Sequence, residues 1–471
     1  MRVAAIVVGF LCALGAAEAA DLSQVGPDAT AHALIAARPA VKEPGFEFVY
    51  AMAGGGASGT MTVDMAQDFT VVTRSPTVAT IYDYALRRIL TIDDESHDFQ
   101  NISLYAMVDF FAHETANRRY LRGVMAQLHT PADTNEPFWV QSELHVMDPE
   151  DGVPKIVRRA AKDGSVRFLY AGKEVASYSP SKQALTPEQG AAFARVLRMN
   201  SNLHPTIIAA IVASGHLPQR LTFALAPILK KPLAVWTLQS AAAVQDAYPL
   251  QSGAHPVLLP PGDAAAAPLA PLLPVMRAAI AGTAPGMKTA AQYHALIEAA
   301  LAKQKLFQAA LLALELNLQY GAAAANCASP CHGLKDVFTI ANGDVRVQAL
   351  LKALQPANGA ALDASIQALT DLKRDDLSNA YVVDDFLAND LVEAGHPDQA
   401  IPLFAGAIKA NPYLFGFYKD MGDAYRLGYD PVLAWLCYDM GRSLPGAATS
   451  PLFADMPAYE ADLVKKYPQF F

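Results

Sequence analysis

The chain has 471 residues, of which 52% are hydrophobic and 17% charged, and its net charge at neutral pH is -9. That length admits two or three domains, and burying a large core poses no difficulty. Basic residues gather only in pairs such as Arg87-Arg88, Arg118-Arg119 and Arg158-Arg159, which excludes the footprint of a nucleic-acid surface.

The N-terminus carries one cation, Arg2, then an apolar run from Val3 to Leu14 and the small-x-small pattern Ala17-Glu18-Ala19. This predicts a secretory signal over 1–19, too short to span a bilayer, with a buried N-terminal helix as the alternative. Cys12 suggests a lipid anchor, but Leu11 before it is too large for that processing site. The expectation is a soluble product in the periplasm or outside the cell. No later apolar run is long enough, free of charge and proline, to cross a membrane. Export permits disulfides among the remaining cysteines, Cys327, Cys331 and Cys437.

Residues 20–251 are expected to form an α+β domain built on an antiparallel sheet. "FEFVYAMA" and "TMTVDMA" flank the glycine-rich "GGGASG", and "VATIYDYALRRILTI" reads as a hairpin bent near Ala85. Asp163-Gly164 favours a tight turn in which both central residues take positive φ, and Ala171-Gly172 supplies the next one. Val166, Phe168 and Tyr170 alternate as a half-buried strand requires. "SLYAMVDFFAHETANRRYLRGVMAQL" has mixed spacing, and a helix is expected from about Glu114. Thr186-Pro187-Glu188-Gln189 carries a capping residue, a proline at the first helical position and a glutamine able to close a capping box, so a helix is expected to about Met199. A short helix in "PTIIAAIVAS" stops at Gly215, and two strand-like segments follow.

Residues 252–287 are dense in Pro, Ala and Gly and read as a linker with a short helix at Leu272 to Ala281. From 288 to 471 every segment has helical period: a pair of helices broken near Lys303 to Lys305 and ending at Gly321, then Val345 to Leu354 and Leu362 to Leu372.

The most informative stretch is "VEAGHPDQAIPLFAGAIKANP", from Val392 to Pro412. Ala400, Phe404 and Ala407 place small, large and small residues on one helix face, which lets a neighbouring helix approach closely. That neighbour is expected just before, with Leu387, Ala388 and Leu391 as its stripe and Gly395 in the turn. A shift of 34 residues carries these six stripe positions to Met421, Gly422, Tyr425, Ala434, Tyr438 and Gly441, each in the same size class, and Pro412 to within one residue of Pro445. Two units are thus expected, 381–414 and 415–448, and the pattern resembles the tetratricopeptide repeat. Asp384 departs from it, standing where that family has a tryptophan, whereas Tyr418 fits. The resemblance implies stacked hairpins whose first helices line a hollow face that holds a peptide or protein. The matching inward positions are Asp385, Asn389, Lys419, Asp423 and Arg426. The competing account is that these are solvated helix residues.

Other signals are weaker. "NCASPCHG" places three residues between Cys327 and Cys331 before His332, where haem attachment wants two, and no zinc-finger spacing accompanies it. A local disulfide is expected there, and Cys437 is expected as a buried thiol. "GGGASG" matches a dinucleotide fingerprint, but a strand rather than a helix follows it. No zincin, nucleophile-elbow or phosphate-loop motif occurs. No cofactor is expected.

The leading expectation is an envelope interaction protein binding a partner protein or peptide through its helices. A second is a lipid or lipoprotein carrier, since an exported antiparallel sheet covered by helices is faintly similar in architecture to lipoprotein carriers. A third is an enzyme with Asp109, His113, Glu114 and Arg118 near its site.

Overall fold

The computed structural model describes residues 26–54, 58–129, 136–146, 155–224, 233–259, 264–325, 331–355, 358–373, 379–447 and 453–471. The expected signal segment lies outside them. An antiparallel sheet domain comes first and an all-helical domain follows, as the sequence leads one to expect.

Helix α1 (Ala31–Ala37) precedes a meander of six strands: β1 (Lys42–Ala53), β2 (Gly59–Met65), β3 (Phe69–Ser75), β4 (Val78–Asp83), β5 (Arg88–Asp93) and β6 (Asp98–Ser103). Helices α2 (Leu104–Gln127) and α3 (Glu136–Leu144) interrupt the sheet, which resumes with β7 (Val157–Ala160), β8 (Val166–Tyr170) and β9 (Lys173–Ala184). After α4 (Pro187–Asn200) and α5 (Pro205–Val212) come β10 (His216–Phe223), β11 (Ala234–Ala247) and β12 (His255–Val257). The twelve strands form one open sheet in the order β12-β6-β5-β4-β3-β2-β1-β11-β10-β9-β8-β7. All pairings are antiparallel except β12 with β6. Alternation assigns the two faces. Phe46, Phe48, Tyr50, Phe168 and Trp236 pack with Phe193 of α4 and Ile208 of α5 on one. Phe69, Val71, Ile81, Leu90 and Phe99 pack with Leu34 of α1 on the other.

Local chemistry explains much of this. Thr186 and Gln189 form the expected capping box with Pro187 in the first turn of α4. Ala171 and Gly172 both have positive φ in the two-residue turn between β8 and β9, whereas at Asp163-Gly164 only Gly164 does. That turn is longer: Ala161 N–H donates to the Ser165 carbonyl at 2.8 Å. Helix α2 starts at Leu104, ten residues before the expected Glu114. Its first turns bury Leu104, Tyr105, Val108 and Asp109 against other elements, so no polar face marks them as helical in the sequence.

The helical domain contains α6 (Leu273–Ile280), α7 (Ala290–Ala302), α8 (Leu306–Ala325), α9 (Leu334–Ile340), α10 (Val345–Ala353), α11 (Ala360–Leu372), α12 (Tyr381–Glu393), α13 (Pro397–Ala410), α14 (Phe415–Leu427), α15 (Pro431–Arg442) and α16 (Met456–Lys466). Helix α8 kinks at Gly321, whose φ is 77°. The prolines and alanines before α6 do not dangle: Leu258, Leu269, Leu272 and Met276 share a core with α13, α14 and α15.

Helices α12 and α14 start 34 positions apart and end 34 positions apart, and α13 and α15 start at the same offset. Their turns match too. Gly395 and Tyr429 both have positive φ, and His396 N–H donates to Leu391 O at 2.8 Å just as Asp430 N–H donates to Tyr425 O at 2.9 Å. Ala400, Phe404 and Ala407 are fully buried. A Cβ at Gly422 would lie 2.4 Å from the Tyr438 ring, and one at Gly441 would lie 2.8 Å from the Tyr418 Cβ. Small residues at these positions are therefore a steric requirement of the helical-hairpin repeat.

Candidate functional site

The hairpins leave a cleft of about 790 Å³ on the face made by α12, α14, the end of α10 and the start of α11. Leu354, Leu362, Phe386 and Val392 give it an apolar floor, and Asn389, Asp390, Glu393, Asp420, Asp423 and Arg426 give it polar walls.

Of the five residues singled out in the sequence, Asn389, Asp423 and Arg426 line this cleft. Asp385 lies one helical turn before Asn389 and is only 3% exposed. Burial, and then the neighbouring Asp420 carboxylate, push its carboxyl well above the usual range. Its Oδ1 has no hydrogen-bond partner. Burial also raises Asp420, to about 6, against the pull of Lys419 and the Asn389 hydrogen bond. The Asn389 amide donates to the Asp385 carbonyl at 3.1 Å and to Asp420 Oδ2 at 3.4 Å. Lys419 is outside the lining but bonds Asp423 at 2.7 Å, and the Tyr438 hydroxyl donates to the other Asp423 oxygen at 2.6 Å.

Arg426 is engaged elsewhere. Its guanidinium forks onto Asp109 of α2, with both contacts at 2.9 Å, and Trp435 Nε1–H reaches the same carboxylate at 3.1 Å. Tyr459 donates to it as well. Asp109 is thus a buried anchor between the two domains. Nearby, Arg88 of β5 donates to Asp439 of α15 at 2.6 Å, and Arg442 pairs with both Asp439 and Glu460. Burial works against the charge on Asp439, but the two arginines overcome it and hold the carboxyl below the usual range. Of the other residues considered with Asp109, His113 lines one small pocket with it, and Glu114 and Arg118 do not. Glu114 pairs with Arg118 one turn on, and the His113 ring meets Tyr429 edge-on.

Sequence reasoning did not find Asp390, Glu393 and Asp420. The only signal was acid density on two equivalent helices, and their relative facing is a tertiary fact. Ser365 of α11 donates to Asp390 Oδ2 at 2.6 Å. Burial and the adjacent Glu393 raise the Asp390 carboxyl despite that bond. A second omission is Glu315 of α8. This fully buried side chain accepts from Tyr293, Tyr381, Asn411 and Lys288, and so ties α7, α8, α12 and the end of α13 together.

The expected Cys327–Cys331 disulfide is not shown: Cys327 lies outside the described residues, and no Sγ–Sγ pairing is found among them. Cys437 is a buried thiol in α15, and burial raises it. His332 donates its backbone N–H to Glu298 at 2.8 Å, and its ring pairs with the same carboxylate. Among the described residues no cluster of ligating side chains is arranged to hold a metal ion, and no helix is long and apolar enough to cross a membrane.

The class defined is a β-sheet domain joined to a region of helical-hairpin repeats. No protein-family model matches the chain, and no curated protein or solved structure is similar to it.

Proposed function

We propose that this protein is an exported scaffold of the cell envelope that holds a partner protein through its helical hairpins, in the manner of tetratricopeptide repeats. The observation that supports this reading is the 790 Å³ cleft on the inner helices, with Asn389 and Asp423 on its walls. The sheet domain braces the second hairpin through Asp109 and Arg88, which leaves the first hairpin's inner face as the docking surface. The N-terminal pattern over 1–19 supports export. The scaffold reading assigns the chain no catalytic step.

Asn389 is exposed at the cleft. Asn389→Trp is expected to fill the cleft and remove the captured partner when the full chain is crosslinked in its own cell. Capture of the same partner by that variant would overturn the reading.

The carrier reading has one observation behind it. A cleft of about 940 Å³ lies between the sheet and α4, lined by Phe46, Met65, Ala192, Val244 and the terminal Phe471. Helices α4 and α5, however, already cover that face of the sheet. Acyl chains extracted from purified protein would favour this second reading.

A further inference from the structure

Resting on the scaffold reading, we propose that the groove between α12 and α14 accepts an extended basic segment of a protein partner, with a lysine or arginine side chain seated against Asp420 and Asp385. The inward charges are unbalanced. Four carboxylates line the groove, Asp390, Glu393, Asp420 and Asp423. The single cation in the lining, Arg426, is forked onto Asp109. Lys419, on the flank, is bonded to Asp423. Asp390, Glu393 and Asp420 therefore have no cation partner among the described residues.

Asp385 is an independent pointer. Its side chain is buried beneath Asn389 and beside Asp420, and one of its oxygens accepts no hydrogen bond. Buried polar atoms are nearly always paired, and an orphaned acceptor beside a cleft marks where a donor from outside belongs. Lys and Arg carry donors and no acceptor, which suits a site that offers carboxylates only. Burial raises the carboxyls of Asp385, Asp390 and Asp420, and a neighbouring acid adds to it in each case: Asp420 for Asp385, Glu393 for Asp390 and Asp423 for Asp420. Among the described residues no three acids converge tightly enough to hold a metal ion, so the missing charge is better supplied by an organic cation. The stem of such a side chain would lie on Leu354, Leu362, Phe386 and Val392, as long cationic side chains do on apolar surface.

The test is selection of a randomised octapeptide library on the full chain, on Asp420→Asn, on Asp390→Asn and on Asn389→Trp, with thermal melts to show that each variant is folded. The expected result is enrichment of Lys or Arg by the wild type, binding that weakens as salt is raised, and affinity lowered at least about tenfold in Asp420→Asn. Enrichment of neutral or acidic peptides that Asn389→Trp abolishes would overturn the basic specificity and leave the scaffold reading standing. Basic peptides bound equally by wild type and Asp420→Asn would overturn the seat. No selection by the wild type would overturn the inference, while partner capture in the cell separately decides the scaffold reading.

Discussion

The two helical hairpins share one plan and have opposite surroundings. In α14–α15 the positions equivalent to Val392, Ile401 and Ala405 of α12–α13 are Arg426, Trp435 and Asp439. Arg426 and Trp435 grip Asp109, and Asp439 takes Arg88, so the second hairpin is cemented to the sheet domain. The first hairpin has no such groups and keeps its inner face for the groove. The same backbone thus becomes an internal joint or the wall of an open groove according to three side chains. The lesson extends to the carboxylates. Asp439 is buried and paired, and its charge is stabilised by two arginines; Asp385 is buried and faces another acid, and its charge is opposed.

The sharpest way to break the comparison is to damage the joint. Asp439→Ala leaves Arg88 and Arg442 buried without their shared partner, and breaking a buried pair in this way costs about 3–5 kcal/mol. Chemical denaturation should show that loss, whereas Asp385→Asn should cost little or stabilise. Phe404→Ala tests whether the first hairpin stands as firmly without a brace. It empties the centre of the α12–α13 contact and is expected to cost about 3–5 kcal/mol, read by the same measurement.

A smaller effect separates the repeats themselves. Gly422→Ala drives a methyl into the Tyr438 ring and should cost about 1–3 kcal/mol. The equivalent first-hairpin position is already alanine, Ala388, buried in the same core as Phe404.

The remaining effects are in pH. Asp420 is raised from 3.8 to about 6 in the fold, with Asp385, Asn389, Lys419 and Asp423 facing it. A raised carboxyl adds stability while protonated and loses it as pH rises through that window. Melts of the wild type against Asp420→Asn should therefore diverge between pH about 4 and 6, with the wild type losing ground as pH rises. The sheet domain has the opposite sign. Burial lowers His145 and His204 from 6.5 to about 4, so their neutral forms add stability above pH 6.5 that is lost on acidification. Protection factors around α3 and α5, corrected for the slower intrinsic amide exchange in acid, should fall from pH 6.5 to 4, while those of α12 should not.

Much of this molecule was legible as sequence because the rules involved act over a few residues. The capping box at Thr186, the turn at Ala171-Gly172 and the small-large-small stripe at Ala400, Phe404 and Ala407 each depend on neighbours within about two turns of chain. The 34-residue repeat is the sum of such local rules, and so the hairpins and three of the five candidate groove residues could be named in advance. The early start of α2 was missed because a helix buried on several sides shows no amphipathic period. What only the tertiary structure decided is which charges meet. Asp109 and Arg426 are 317 residues apart and Arg88 and Asp439 are 351 apart. A carboxylate's partner at that range depends on which surfaces pack together, and no local period encodes it. That packing consumed Arg426, left Asp390, Glu393 and Asp420 without a salt-bridge partner among the described residues, and turned a set of inward positions into an acidic groove.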